Sequence, residues 1–244
     1  QVCPVSPVKD SVYATRSVSL APAAPPSFKL PGTDGLPGPG DLVAIDCEFV
    51  ALSNEESNVR ADGRRVVTRE SHLAPGRVSV LNGTTGTPFI DDYIVNPEPV
   101  VDYLTRFSGL TARDLDPASS PHHLVPLKVT YLKLLHLVDR GCVFVGHGLR
   151  KDFRIVNLVV PPGQIRDTVD LFKFPGQRNI SLRFLAAFLL GQDIQSDTHD
   201  SIMDARTALL LYRQYLELES AGKVTETLSR LYAEGYKTGW KSAK

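Results

Sequence analysis

The stretch Asp41-Leu-Val-Ala-Ile-Asp-Cys-Glu-Phe49 constrains the fold of this chain more than any other. Its density of Val, Ile and Leu, with a Gly/Pro-rich segment before it and a polar run from Ser53 after it, predicts a short buried strand. Side chains alternate along a strand, so Asp46 and Glu48 leave one face roughly 7 Å apart, while Ile45, Cys47 and Phe49 leave the other. Two carboxylates on a buried strand repel one another and lose hydration unless a cation or strong donors share the site. A divalent metal meets that demand, and so does a strand end open to water. The pair alone does not choose between them.

The segments around this strand define the organisation. Residues Gln1 to Gly40 carry eight prolines with Gly, Ser and Ala, a composition that suits an extended linker rather than a core. The chain opens without Met and is expected to be a piece of something longer. Residues 41–240 form the expected domain, interrupted at 53–75 by a polar, mixed-charge insertion with no period, read as a solvated loop. Arg77-Val-Ser-Val-Leu81 and Pro88 to Val95, joined by Asn-Gly-Thr-Thr-Gly-Thr, predict two further strands in a hairpin. Short helices are expected at Val100 to Phe107 and Thr111 to Leu115, and a longer amphipathic one from Pro121 to Arg140. Cys142-Val-Phe-Val145 reads as a strand entering a helix at Leu149, and Gln164 to Asp170 as another strand. Helices then run from Ser181 to Gly191, Asp200 to Glu219 and Val224 to Glu234. Strands first, then strand and helix in alternation, predict an α/β fold: a mixed sheet of about five strands with helices on both faces. In such sheets, sites gather beyond the strand ends.

Charge excludes one class of partner surface. Twenty-seven basic residues balance twenty-seven acidic ones, so no global field draws in duplex nucleic acid. A narrow cleft in which bound metal supplies the positive charge stays open. Cys3, Cys47 and Cys142 have no zinc spacing and are expected as free thiols in a reducing compartment. No apolar run approaches membrane-spanning length and no signal peptide is evident, so a cytoplasmic protein is expected.

Two more acids extend the pair on the first strand. Asp152 falls in the first turn of the helix after Val143-Phe-Val145, where the helix dipole alone could explain a carboxylate. Asp204 opens the last long helix, where Ser201-Ile-Met-Asp204 also matches a capping box. Together, four acids at strand ends and helix starts make the arrangement that clamps two divalent ions, which suit in-line attack at a phosphodiester. His199, five residues before Asp204, is placed to act as general base for the attacking water. His147, between two glycines, reads as a structural donor at its turn.

Asp46-Cys-Glu48, Gly146-His-Gly-Leu-Arg-Lys-Asp152 and His199-Asp-Ser-Ile-Met-Asp204 resemble the three motifs of the DEDD exonucleases, in the subgroup with a histidine five residues before the last Asp. The wider text, including Pro88 to Ile94, Val100 to Leu104 and Ile180 to Leu185, is similar to the exonuclease domains of catalytic subunits of poly(A)-nuclease deadenylation complexes. The likeness spans about Asp41 to Trp240. It implies an RNase H-like fold, two Mg²⁺ ions with Mn²⁺ as a substitute, and 3′-to-5′ shortening of single-stranded poly(A) with release of 5′-AMP. It also implies a pseudokinase-like regulatory subunit as partner, and a ubiquitin-hydrolase-like domain upstream to which Gln1 to Gly40 would connect. Phe49 and the turn carrying Ser108, Leu110 and Thr111 would bracket the terminal nucleotide, with ordinary core packing as the other reading of these residues. Cys47 stands where many members have Ala and should point away from the metals.

Two other readings remain beside the deadenylase. One keeps the chemistry on other RNA or DNA 3′ ends; the other is a catalytically silent module that binds RNA or protein. The clustered acids disfavour the second.

Overall fold

A computed structural model describes residues 35–194 and 199–241. Most of the expected linker, up to residue 34, lies outside the described residues, and the second compact unit begins at Pro37. The central strand β1, Leu42–Ser53, is longer than its apolar stretch. Next come a hairpin of β2, Glu56–Val59, and β3, Arg65–Arg69, and then β4, His72–Asn82, and β5, Pro88–Val95. Helices α1, Thr105–Ser108, and α2, Ala112–Leu115, precede a short strand β6, Leu124–Pro126, and α3, Leu127–Asp139. Strand β7, Val143–Gly146, leads into α4, Leu149–Val156. Strand β8, Ile165–Asp167, leads into α5, Thr168–Leu171. The chain continues with α6, Leu182–Leu185, a π-helical turn at Ala186–Leu190, α7, Ser201–Ser220, and α8, Val224–Thr238.

The main sheet has the order β6-β5-β4-β1-β7-β8. Strands β1, β4 and β5 are antiparallel neighbours, whereas β7 joins β1, and β6 and β8 join the two flanks, in parallel. Six strands replace the expected five because β6 comes from the start of the predicted long helix. Pro126 there lacks the N–H a helix interior needs, so the helix starts only at Leu127.

The 53–75 insertion is also corrected. It is not a loop but mostly paired backbone, with Val59 opposite Arg65 and Asn58 opposite Val66. Both faces are largely exposed, so no period-2 pattern marks it. The turn is the sequence signal: Asp62-Gly63 sits at its tip, with Gly63 at φ 80°, a conformation L-residues disfavour.

Alternation along β1 sorts the two faces. Val43, Ile45, Cys47 and Phe49 join Leu134 and Leu137 of α3 and Phe153 and Val156 of α4 in one buried cluster. Ala44 faces the other way, with Leu81 of β4, against Ala205 and Leu209 of α7. Each fully buried Leu or Val of this kind stabilises by about 1.5–3 kcal/mol. This burial holds helices on both faces and leaves Asp46 and Glu48 on the α7 side. A separate apolar cluster joins α6, α7 and α8 through Leu185, Leu211 and Leu231. Among the described residues, no helix is long and apolar enough to cross a membrane.

Candidate active site

Asp152 and Asp204 are released from capping because another residue satisfies the backbone at each helix start. At the start of α7, Asp200 is the N-cap and accepts from the Met203 N–H at 3.0 Å. The capping box expected for Ser201 to Asp204 is therefore one residue out of place, and the buried Asp204 carboxylate is turned toward β1. At the start of α4, Asp167 accepts from the N–H groups of Gly148 and Leu149, both at 2.8 Å. Asp152 is thus not needed there and lines the cleft, where it is buried. Gly148, at φ 83°, makes the tight entry from β7 into α4.

Oxygen atoms of Asp46, Glu48 and Asp204 lie within 4.8 Å of one another. Asp152 is not in that group, but its charge is second only to burial in raising the Asp46 carboxyl well above the usual carboxylate range. Burial, then Asp204, pushes Glu48 up to about 8, against the opposing pull of Arg77. Burial also raises Asp152 to about 7, although Lys151 draws it down. Glu48 Oε1 is buried with no hydrogen-bond partner among the described residues. A buried acceptor of this kind costs about 1–3 kcal/mol unless something satisfies it. Clustered hard oxygen donors with an orphaned lone pair fit a divalent cation such as Mg²⁺ or Mn²⁺.

His199 Nδ1 stands 3.1 Å from Asp204 Oδ2, and the His199 backbone N–H donates to the Phe107 carbonyl at 3.3 Å. The ring therefore sits at the rim, tied to α7 on one side and to α1 on the other. His147 is held at Nδ1 by the Thr168 hydroxyl at 2.9 Å, and burial lowers its pKa, in keeping with a structural part in the turn.

The cleft, of about 480 Å³, is lined by Asp46, Glu48, Asp152, His199, Phe49 and Ser108, among others. Phe49 belongs largely to the core, with the Lys151 ammonium 4.8 Å from its ring centroid. Ser108 is buried; its hydroxyl donates to the Tyr103 carbonyl and accepts from the Leu110 N–H. Leu110 and Thr111, expected against the terminal nucleotide, are not among the residues lining this cleft. Leu110 is 3% exposed and packs with Val50, Ala74 and Leu115. Thr111 is committed to the α2 capping box with Asp114. Leu104 and the 62% exposed Phe107 line the cleft instead, and sequence reasoning missed both. No sequence signal marked Phe107 as exposed: Val100, Tyr103, Leu104 and Phe107 have helical spacing, but the helix forms only over Thr105–Ser108.

The chain belongs to the exonuclease family: the model for that family, described as "Exonuclease", matches residues 43–212, which carry this sheet and its acid cluster. More narrowly, it is similar to the subunit described as "PAN2-PAN3 deadenylation complex catalytic subunit PAN2". Identity is 55% over 212 residues in Cryptococcus neoformans and 52% over 213 in Homo sapiens, each match covering 84% of this chain and 18% of the relative. The chain thus spans about a fifth of the length of the curated relatives it matches. A solved Saccharomyces cerevisiae Pan2 pseudoubiquitin hydrolase-RNA exonuclease module in complex with A7 RNA superposes with a TM-score of 0.74. That match has 42% identity and covers 89% of this chain and 35% of that one.

Repulsion within the acid cluster gives a pH signature. Glu48 and Asp152 have folded values of about 8 and about 7, against ~4 when unfolded. Over that window the metal-free folded state binds more protons than the unfolded one. Their stabilising contribution is therefore complete below about pH 4 and is lost as pH rises through 7 to 8. In EDTA, Tm should fall between pH 6 and 8.5, and Glu48→Gln should flatten the fall. Mn²⁺ at 100 times its Kd should add about 2.7 kcal/mol, or about 5–11 °C at this size, and at one fixed concentration the gain should be larger at pH 8.5, where the acids are ionised. A thermal scan showing equal slopes for parent and variant and no Mn²⁺ effect would remove the cation from the site.

Proposed function

We propose that this chain is the nuclease of a poly(A) deadenylase, removing 5′-AMP from the 3′ end of single-stranded poly(A). The observation that carries the chemistry is the buried Glu48 Oε1, without a hydrogen-bond partner among the described residues, beside Asp46 and Asp204. The substrate rests on similarity to deadenylation-complex subunits and to a relative solved with A7 RNA.

Asp46, Glu48 and Asp204, with Asp152 at the wall, would hold two Mg²⁺, with Mn²⁺ as a substitute. Bound there, such ions supply activation of the attacking water and charge stabilisation at the phosphoryl and leaving oxygens. His199, with Nδ1 engaged by Asp204, takes the proton at Nε2. Lys151 offers an ammonium at the rim for the phosphate. Leu104, Phe107 and Phe49 supply apolar surface for the terminal base, because stacking holds single strands whatever the base. Adenine preference then follows from how well consecutive bases stack on one another. A regulatory pseudokinase-like subunit is the proposed partner of the longer protein. A cytoplasmic location accords with the free, buried thiols of Cys47 and Cys142.

A time course on 5′-labelled oligo(A), oligo(U) and oligo(dA) tests this. The expected result is a ladder shortening from the 3′ end, fastest on oligo(A) and absent in EDTA. Equal rates on all three would remove the deadenylase assignment and leave a general exonuclease. Mg²⁺-dependent binding without shortening would leave a binding module.

A further inference from the structure

Behind Glu48, a second charged cluster fixes the start of α7. Arg77 of β4 is the cross-strand neighbour of Glu48. Its side chain is only 11% exposed, and it grips Asp91 of β5 in a fork, Nε to Oδ1 at 2.7 Å and Nη2 to Oδ2 at 3.1 Å. The remaining arm, Nη1, donates to Asp200 Oδ2 at 3.1 Å. The other Asp200 oxygen caps α7. The guanidinium also lies over the Tyr93 ring, 5.0 Å from its centroid. One turn along, Ser79 donates to Asp91 and its hydroxyl meets that of Ser201 at 2.7 Å. Strands β4 and β5 therefore hold the first turn of α7 at two points.

A buried arginine is costly to desolvate, and an apolar residue would serve the core at least as well. Pairing with Asp91 alone would account for two of its three donating nitrogens. The third reaches Asp200, the residue that follows His199 and stands four before Asp204. No other residue type offers a planar fork that can bind one carboxylate at two points while extending an arm to a second.

We propose that Arg77 is a positioning residue for the reaction: through Asp200 it sets where His199 and Asp204 stand relative to Glu48. The inference rests on the nuclease reading for its effect on rate, but its structural content does not depend on it. Arg77→Lys keeps the charge and loses the fork. Asp200→Asn keeps an oxygen for the cap and loses the charge that holds Arg77.

On oligo(A), Arg77→Lys should lower kcat by about 10- to 100-fold, with KM within about threefold, at temperatures well below its Tm. Asp200→Asn should lower kcat less, and the double variant should be no slower than Arg77→Lys alone, as two parts of one connection behave. The ¹⁵N–¹H correlations of the His199 imidazole should shift or broaden in both single variants. A kcat for Arg77→Lys within twofold of the parent, or losses that multiply in the double variant, would overturn the inference. If the parent cleaves no nucleic acid, the proposed function falls, and the His199 resonances decide the inference alone: unchanged signals refute it. Should Arg77→Lys fail to fold, Asp200→Asn carries both readouts.

Discussion

Asp46→Ala is expected to lower hydrolysis of oligo(A) by about 10³-fold or more, and at the same time to leave Tm in EDTA equal to or above that of the parent. The first effect follows from position. Asp46 feels the other three acids, its own proton held up by burial and by the charges of Asp152, Glu48 and Asp204. Losing an outer residue around a metal already costs 10–100-fold, and losing the group in the middle of the ligand cluster should cost more. The second effect follows from the same repulsion. Without metal, these acids destabilise the fold that contains them, and deleting one relieves the rest. A stability gain paired with loss of rate separates a site built for a cation from one built for structure. Calorimetry should show Mn²⁺ binding lost or weakened by at least tenfold. A variant with full activity would remove Asp46 from the site, and one with a Tm several degrees lower in EDTA would show that the carboxylate serves packing instead.

The chain made its centre legible because the constraint was local. Apolar density around Asp46 and Glu48 marked β1, and alternation alone put both acids on one face and Ile45 and Cys47 in the core. Asp152 and Asp204 could be placed at helix starts for the same reason. What one sequence could not show was which acid does the capping. Asp167 and Asp200 do it, the first through a contact that depends on β8 lying beside β7, the second through a local bond from the Met203 N–H that competes with the Ser201 cap the sequence equally allows. The hairpin at 56–69 was hidden because two exposed strands need no apolar face, although Asp62-Gly63 marked its turn. Leu110 illustrates the opposite case. A leucine in a turn next to an expected substrate path looks available, yet Val50 and Leu115 close over it, and Phe107, three residues earlier in the chain, is the exposed ring. Burial of a turn residue is a tertiary property, set by elements distant in sequence. The Arg77 connection is of the same kind, because its three carboxylate contacts join β4 to β5 and to α7.

His199→Ala is the second large effect expected, and its pattern should differ from that of Asp46→Ala. A positioned proton acceptor contributes about 10²–10⁴-fold, so kcat should fall by about 10²–10³-fold. The histidine is not one of the Asp46, Glu48 and Asp204 group and reaches it through Asp204 Oδ2. Mn²⁺ affinity and KM should therefore stay within about threefold of the parent. Because the ring is 38% exposed at the cleft rim, its removal leaves space open to solvent. Added imidazole should then restore part of the lost rate to His199→Ala and none to Asp46→Ala, since a small base can replace a proton acceptor but not a carboxylate among carboxylates. A loss of less than about fivefold would assign proton transfer to another group. A variant that loses Mn²⁺ along with its rate would mean that His199 acts by holding Asp204 in place, and imidazole would then restore nothing.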